Sequence, residues 1–301
     1  MTSPAHEGQT FRGVGRLVAY ANLVKLPHTV FALPFALVGV VLASRVTPVN
    51  ATQLLWVVVA FTAARFVAMA FNRVVDRAID ARNPRTAMRE IPRGVVGVRE
   101  AWVAIVVMGA LFVFAAARLN PLCLRLAPVA LAWVCFYSLT KRFTHYAHLV
   151  LGLGLAIAPV GGYLAVTGAW STPWWTLIAL TVAVMSWVAG FDILYALADA
   201  EFDRREGLHS IPAALGVPRA ITVSRVLHVL TVIALAVGLS AGGGRWLAAA
   251  AVAFAAALLR YEHRLVRADD LSKLDAAFFT MNGVISIGVF LFVLADRMFL
   301  A

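Results

Sequence analysis

Two sets of polar residues recur at helical spacing inside an otherwise apolar chain: Asn72, Asp76 and Asp80 in one, Asp192, Tyr195, Asp199 and Asp203 in the other. Residues three and four apart share a helical face, so each set makes one stripe of hard oxygen donors. Ionised carboxylates at that spacing repel, and each stripe therefore calls for a counter-charge between its members. Carboxylates beside a bilayer are costly, so two such stripes point to a bound ligand, most simply divalent cations and a polyanion held by them. Mg²⁺ suits these donors, because it takes one or two carboxylates, keeps several waters and completes its shell with phosphate oxygens. No Cys or His group in the sequence has zinc spacing. The neighbouring arginines and Lys141 add contacts for phosphate oxygens, Arg as a planar fork and Lys as a point charge.

Each stripe closes a long apolar run, and such runs recur along the whole length. They lie at Thr29–Ala43, Leu54–Ala70, Ala101–Ala117, Leu122–Leu139, Leu149–Val166, Trp174–Leu197, Val226–Leu239, Trp246–Leu259 and Phe278–Leu294. With 62% apolar and 14% charged residues in 301, the chain reads as an all-α integral membrane protein, a bundle of about nine transmembrane helices. The acid stripes end the second and sixth runs and basic stretches follow the fourth and eighth, a pattern of two four-helix units plus one helix. Residues 1–16 read as a polar N-terminal tail and 17–301 as a single transmembrane domain. Cys123 and Cys135 are too far apart along one helix, about 18 Å, to bridge each other.

The net charge of +11 is unevenly placed. Arg73, Arg77, Arg82, Arg85, Arg89, Arg93 and Arg99 follow the second run, Lys141 and Arg142 the fourth, Arg204, Arg205 and Arg219 the sixth, and Arg260, Arg264, Arg267 and Lys273 the eighth. The alternate loops carry single basic residues such as Arg45, Arg118 and Arg245. Loops rich in Lys and Arg stay in the cytoplasm, which puts the N-terminus and both stripes on that side. Topogenesis and attraction to anionic lipid account for the basic surplus, and no nucleic acid partner is expected.

The blocks Phe71-Asn-Arg-Val-Val-Asp-Arg-Ala-Ile-Asp80 and Tyr195-Ala-Leu-Ala-Asp-Ala-Glu-Phe-Asp203, with Gly207-Leu-His-Ser-Ile-Pro212 after them, resemble the two Asp-rich signatures of the UbiA superfamily of intramembrane aromatic prenyltransferases. Tyr137-Ser-Leu-Thr-Lys-Arg-Phe-Thr144 is similar to that family's basic stretch. Three further blocks, His28–Pro34, Asn83–Pro92 and Tyr261–Val266, resemble the branch tied to menaquinone made by the futalosine route more than the ubiquinone-type 4-hydroxybenzoate enzymes.

The resemblance implies transfer of a polyprenyl group from its diphosphate to a hydroxylated aromatic carboxylate, dihydroxynaphthoate or 4-hydroxybenzoate, in menaquinone- or ubiquinone-type quinone biosynthesis. Asn72, Asp76, Asp199 and Asp203 would hold Mg²⁺, with Asp80 assisting. Lys141, Arg142 and Arg77 would contact the diphosphate. Asp192 would orient a ligand or accept a proton, and Tyr195 and His28 would touch substrate. The implied setting is a bacterial inner or plasma membrane with a cytoplasmic active site. A secondary transporter or cation carrier is the rival reading, since intramembrane acids mark such proteins too. Carriers usually place their acids near the bilayer midplane, whereas these stripes lie at span ends among basic residues.

Overall fold

The computed structural model describes residues 11, 15–268, 270–271, 274 and 280–300, excluding the side chains of 26–31. The predicted polar tail at 1–16 lies almost wholly outside the described residues, as does the side chain of His28. In chain order the helices are α1 (Arg16–Leu23), α2 (Leu26–Ala43), α3 (Ala51–Val75), α4 (Arg77–Arg82), α5 (Val98–Leu119), α6 (Pro121–Thr140) and α7 (Ala147–Thr167). They continue with α8 (Trp174–Ala196), α9 (Ala200–Arg205), α10 (Ile211–Leu215), α11 (Val217–Ala241), α12 (Trp246–Leu265) and α13 (Asn282–Leu300). Each of the nine apolar runs corresponds to one long helix. Among the described residues, seven helices are long and apolar enough to cross a membrane. The other two long helices, α2 and α12, join the same bundle.

Local chemistry sets the helix ends. Asn50 and Gln53 form a reciprocal capping box at the start of α3, with Asn50 Oδ1 accepting from Gln53 N at 2.8 Å. Asn120 caps α6 in the same way, and its Nδ2 also donates to Leu164 O at 2.8 Å, pinning the α5–α6 turn to the end of α7. The apolar runs understate α11 and α12, because some of their polar residues meet partners inside the bundle. Ser224 Oγ donates to Gly190 O at 2.8 Å and His228 Nδ1 lies 2.9 Å from His263 Nε2, so neither pair needs water.

The main core joins α2, α3, α7, α8, α11, α12 and α13 around Tyr163, Leu180 and Trp187. Two glycines let backbones meet directly within it. A Cβ on Gly152 would sit 2.3 Å from Met185 O of α8, and one on Gly162 2.1 Å from Ala36 O of α2. Asp296 closes the end of the bundle far from the acid stripes. Fully buried, it accepts from the first amides of α12, Arg245 N at 2.9 Å and Ala248 N at 3.1 Å, and pairs with Arg45 at 2.7 Å.

The sequence predicts unbroken helical stripes, and the chain departs from this at both. The third helix ends at Val75, and Asp76 sits between it and α4 with non-helical dihedrals. The eighth tightens into a 3₁₀ turn at Leu197–Asp199 before α9. Asp76 and Asp199 stand at these two departures from regular α-helix.

Candidate active site

Asn72, Asp76, Asp80, Asp192, Tyr195, Asp199 and Asp203 all line one cavity of about 250 Å³. Asp76 and Asp199, contributed by the ends of α3 and α8, thus share a single space at one end of the bundle. Lys141 and Arg142, from the end of α6, line it as well. The lining holds seven Lys and Arg side chains against five Asp, a cationic surplus that favours a polyanionic guest.

Each acid has a basic partner. Arg142 Nη2 donates to Asp76 Oδ1 at 2.8 Å and Arg89 Nη1 to Asp80 Oδ1 at 2.6 Å. Arg85 forks Asp199 with Nε and Nη2, and Asn83 Nδ2 donates to the same carboxylate at 3.0 Å. Lys141 Nζ stands 3.8 Å from Asp203 Oδ2, and His148 Nδ1 2.6 Å from Asp192 Oδ2. Asn72 Nδ2 donates to Asp76 Oδ2 at 2.8 Å. The counter-charges that the stripes require therefore come across the cavity from other segments. The loop after α4 supplies Asn83 and Arg85, and so straps the first signature onto the second.

The same pairs shape the electrostatics. Burial lifts the Asp76 carboxyl above the ordinary carboxylate range against the pull of Arg142, and neighbouring Asp80 adds to the rise. Burial pulls the Lys141 ammonium down, but Asp203, Asp192, Asp199 and Asp76 together hold it above its usual value. Mutual repulsion between carboxylates is thus a minor influence beside burial and cross-cavity cations.

Arg77, expected to contact the diphosphate, falls elsewhere. Arg77 follows the break at Asp76, which turns it off the cavity, and its Nη1 donates to Val74 O at 2.9 Å. His209 stays outside the lining and gives its backbone N–H to Lys141 O at 2.7 Å, which fixes the segment carrying Lys141.

The structure adds residues that sequence reasoning missed. Lys25 lines the cavity with a left-handed backbone, φ 47°, strained for a residue with a side chain. Its Nζ lies 5.9 Å from the centre of the Tyr195 ring, and Arg85 Cζ lies 4.5 Å from it. Arg65, from the middle of α3, lines this cavity and a second, apolar one of about 200 Å³ walled by Phe61, Phe112, Leu126 and Ile157. Tyr137, Leu151 and Leu155 share that boundary position. Arg65 Nε is buried without a hydrogen-bond acceptor among the described residues.

The donor set fits a hard cation. It consists of carboxylate and amide oxygens, and Asp80 Oδ2 and Asp203 Oδ2 are buried with no hydrogen-bond donor among the described residues. Among those residues no three acidic, His or Cys groups yet converge as a ready-made metal cage, because the basic partners hold the carboxylates apart.

The sequence model of the UbiA prenyltransferase family matches residues 32–284. The apo structure of a UbiA homolog from Aeropyrum pernix K1 is 32% identical, superposes with a TM-score of 0.81, and the match covers 90% of this chain and 98% of that one. A UbiA homolog from Archaeoglobus fulgidus, solved bound to DMAPP and Mg²⁺, shares the fold at 22% identity with a TM-score of 0.74, over 93% of this chain and 99% of its own. Among curated proteins, the 4-hydroxybenzoate octaprenyltransferase of Alkalilimnicola ehrlichii is 29% identical over 231 residues, 75% of this chain and 77% of that protein.

Proposed function

The chain belongs to the UbiA prenyltransferase family, and from that premise we propose that it moves a polyprenyl group from polyprenyl diphosphate to a hydroxylated aromatic carboxylate in quinone biosynthesis. The observation that carries this reading is the convergence of both Asp-rich signatures and Lys141, Arg142 and Arg85 on one cavity. A polyanion and its cations match that mixture of charges.

Asn72, Asp76, Asp199 and Asp203 would hold Mg²⁺, with Asp80 beside them. When bound, the ion supplies Lewis-acid charge that stabilises the diphosphate as it leaves. Lys141, Arg142 and Arg85 bind the diphosphate oxygens left over, as point charge and forks. The apolar second cavity receives the isoprenoid tail, which places the allylic carbon at the shared boundary. Arg65 stands at that boundary, where its guanidinium, with Nε in need of an acceptor, pairs with the arene's carboxylate and sets the ring against the allylic carbon. Tyr195 and Asp192 also line the first cavity, with Asp192 as the acceptor of the ring proton. By loop charge, this site opens to the cytoplasm of a bacterial inner or plasma membrane. The blocks at His28–Pro34, Asn83–Pro92 and Tyr261–Val266 favour a dihydroxynaphthoate-type acceptor of menaquinone synthesis over 4-hydroxybenzoate, the acceptor named for the curated relative above.

The test is an assay of the purified full-length protein in lipid nanodiscs with Mg²⁺, geranyl diphosphate and a panel of aromatic acids that includes 4-hydroxybenzoate and dihydroxynaphthoates. Prenylated arene and released diphosphate are expected. Ion flux through vesicles without either product would favour a carrier. With the acceptor that reacts, Arg65→Ala should raise KM for the arene by about 10- to 100-fold, the worth of a charged hydrogen bond, and leave KM for the diphosphate unchanged. An unaltered arene KM removes Arg65 from acceptor binding.

A further inference from the structure

The seventh helix places behind the cavity lining a group that neither metal nor diphosphate chemistry uses. His148 is the second residue of α7 and is completely buried, with Nδ1 2.6 Å from Asp192 Oδ2. Its Nε2 accepts the backbone N–H of Ile211, the first residue of α10, at 3.4 Å. That acceptor role puts the ring proton on Nδ1, where it can only be donated to Asp192. Asp192 keeps 22% of its side chain exposed and lines the cavity, so its carboxylate is reachable from the substrate side.

The partner distinguishes Asp192 from the other four acids of the lining. Asp76, Asp80, Asp199 and Asp203 each face an Arg or Lys. A carboxylate beside a guanidinium or an ammonium faces a permanent cation and is a poor place for a proton. One held at a single oxygen by a neutral N–H keeps its own charge and a free oxygen, while its rotation is fixed.

Resting on the transferase reading, we propose that His148 is a positioning residue for loss of the ring proton, holding Asp192 in the orientation that receives it. The balance is complete without any further reactant. The allylic C–O bond breaks with its electron pair leaving on the diphosphate, and a ring π pair forms the new C–C bond. The C–H pair at that carbon then restores aromaticity as the proton passes to the Asp192 carboxylate. His148 retains its Nδ1 proton throughout. A Ser-His-Asp triad uses an acid to orient a histidine; here the histidine orients the acid.

Three variants separate this role from simple anchoring of the segment at Ile211. His148→Asn keeps a side-chain N–H near the position of Nδ1 but loses the acceptor for Ile211. His148→Gln keeps an acceptor near Nε2 but loses the donor to Asp192, and His148→Leu loses both. Each is assayed as full-length protein in nanodiscs with Mg²⁺, geranyl diphosphate and an arene that the wild type prenylates. The expected result is that Asn retains most of kcat, whereas Gln and Leu lose about a hundredfold, the cost of misplacing a catalytic group by around 1 Å, with KM for the diphosphate unchanged. In an Asp192→Asn background, His148→Leu should add little further loss, because the two residues act as one unit. The proposal is overturned if Gln is active and Asn is not, which is the anchoring result, or if all three variants turn over like wild type. Equal loss in Asn, Gln and Leu overturns it as well. A wild-type protein that makes no prenylated arene sinks the transferase reading and this one together, whereas an active wild type with an equally active Leu variant sinks only this one.

Discussion

Asp199→Ala lowers Mg²⁺-dependent prenyl transfer by at least about a thousandfold, or roughly 4 kcal/mol of transition-state stabilisation, while the protein still inserts into the membrane. The size follows from what the side chain touches. Asp199 is 7% exposed, faces the cavity, and takes both a fork from Arg85 and a bond from Asn83. Truncation therefore removes the proposed metal ligand and also strands a buried guanidinium, and an unpaired buried charge alone costs about 3–5 kcal/mol of stability. Asp199→Asn separates the two effects. It keeps one acceptor oxygen for Asn83 and Arg85 but removes the charge that a hard cation requires, so it should lose less stability than the Ala variant while its turnover falls as far. Asp76→Ala should behave similarly, with Arg142 as the stranded partner. Wild-type turnover in Asp199→Asn would take the residue out of the chemistry. Recovery of its rate at high Mg²⁺ would instead measure how much of the defect is affinity.

Those pairs also say what the acids do before substrate arrives. Stripes of like charge along α3–α4 and α8–α9 are kept apart and neutralised by basic residues from α6 and from the loop after α4. Each of the four acids Asp76, Asp80, Asp199 and Asp203 is compensated by a side chain of the cavity itself, and diphosphate with its cations would exchange partners pair by pair: carboxylates for metal, guanidiniums for phosphate. Such an exchange keeps every buried charge compensated at each stage, which a cavity of free acids beside a bilayer would not.

How much of this is legible in the sequence depends on whether a signal is periodic. The acid stripes stand out because polar residues at steps of three and four beside apolar runs are too costly to persist without a ligand or a partner, and the nine helices follow from hydropathy alone. Arg85 and Asn83 are hidden because they lie in a loop without period, and only the turn after α4 carries them across to Asp199. Arg77 departs from expectation because a helix continuous through Asp76 would aim it into the cavity, and one break in the backbone rotates every residue after it. Arg65 does carry a readable signal. It is a lone cation inside the apolar run Leu54–Ala70, and an ionisable residue at that depth is a site by default. His148 has no such mark, since a histidine at a helix start near a basic loop looks like any interfacial residue until Asp192 is seen to meet it.

The neighbouring glycines of α7 should respond to the same substitution with opposite signs. Gly162→Ala places a methyl group 2.1 Å from Ala36 O and 3.0 Å from its carbonyl carbon, both backbone atoms of α2. No rotamer relieves a clash with backbone, so α2 and α7 must separate by about 1 Å, and overpacking of that kind typically costs about 1–3 kcal/mol or more. The separation propagates, because Gly39 of α2 meets Pro159 of α7 just as closely one turn away, where its own Cβ would lie 1.9 Å from the Pro159 carbonyl oxygen. Both contacts must therefore open together. Gly161→Ala has nothing within 4 Å of its new methyl and gains the helix propensity of Ala over Gly, about 0.5–1 kcal/mol. Thermal unfolding in detergent, followed by the loss of the monodisperse peak, should show Gly162→Ala well below wild type and Gly161→Ala at or above it. Equal midpoints would mean that α2 and α7 do not pack backbone to backbone, and the bundle that brings Lys25, Arg65 and Asp192 to one cavity would need another basis.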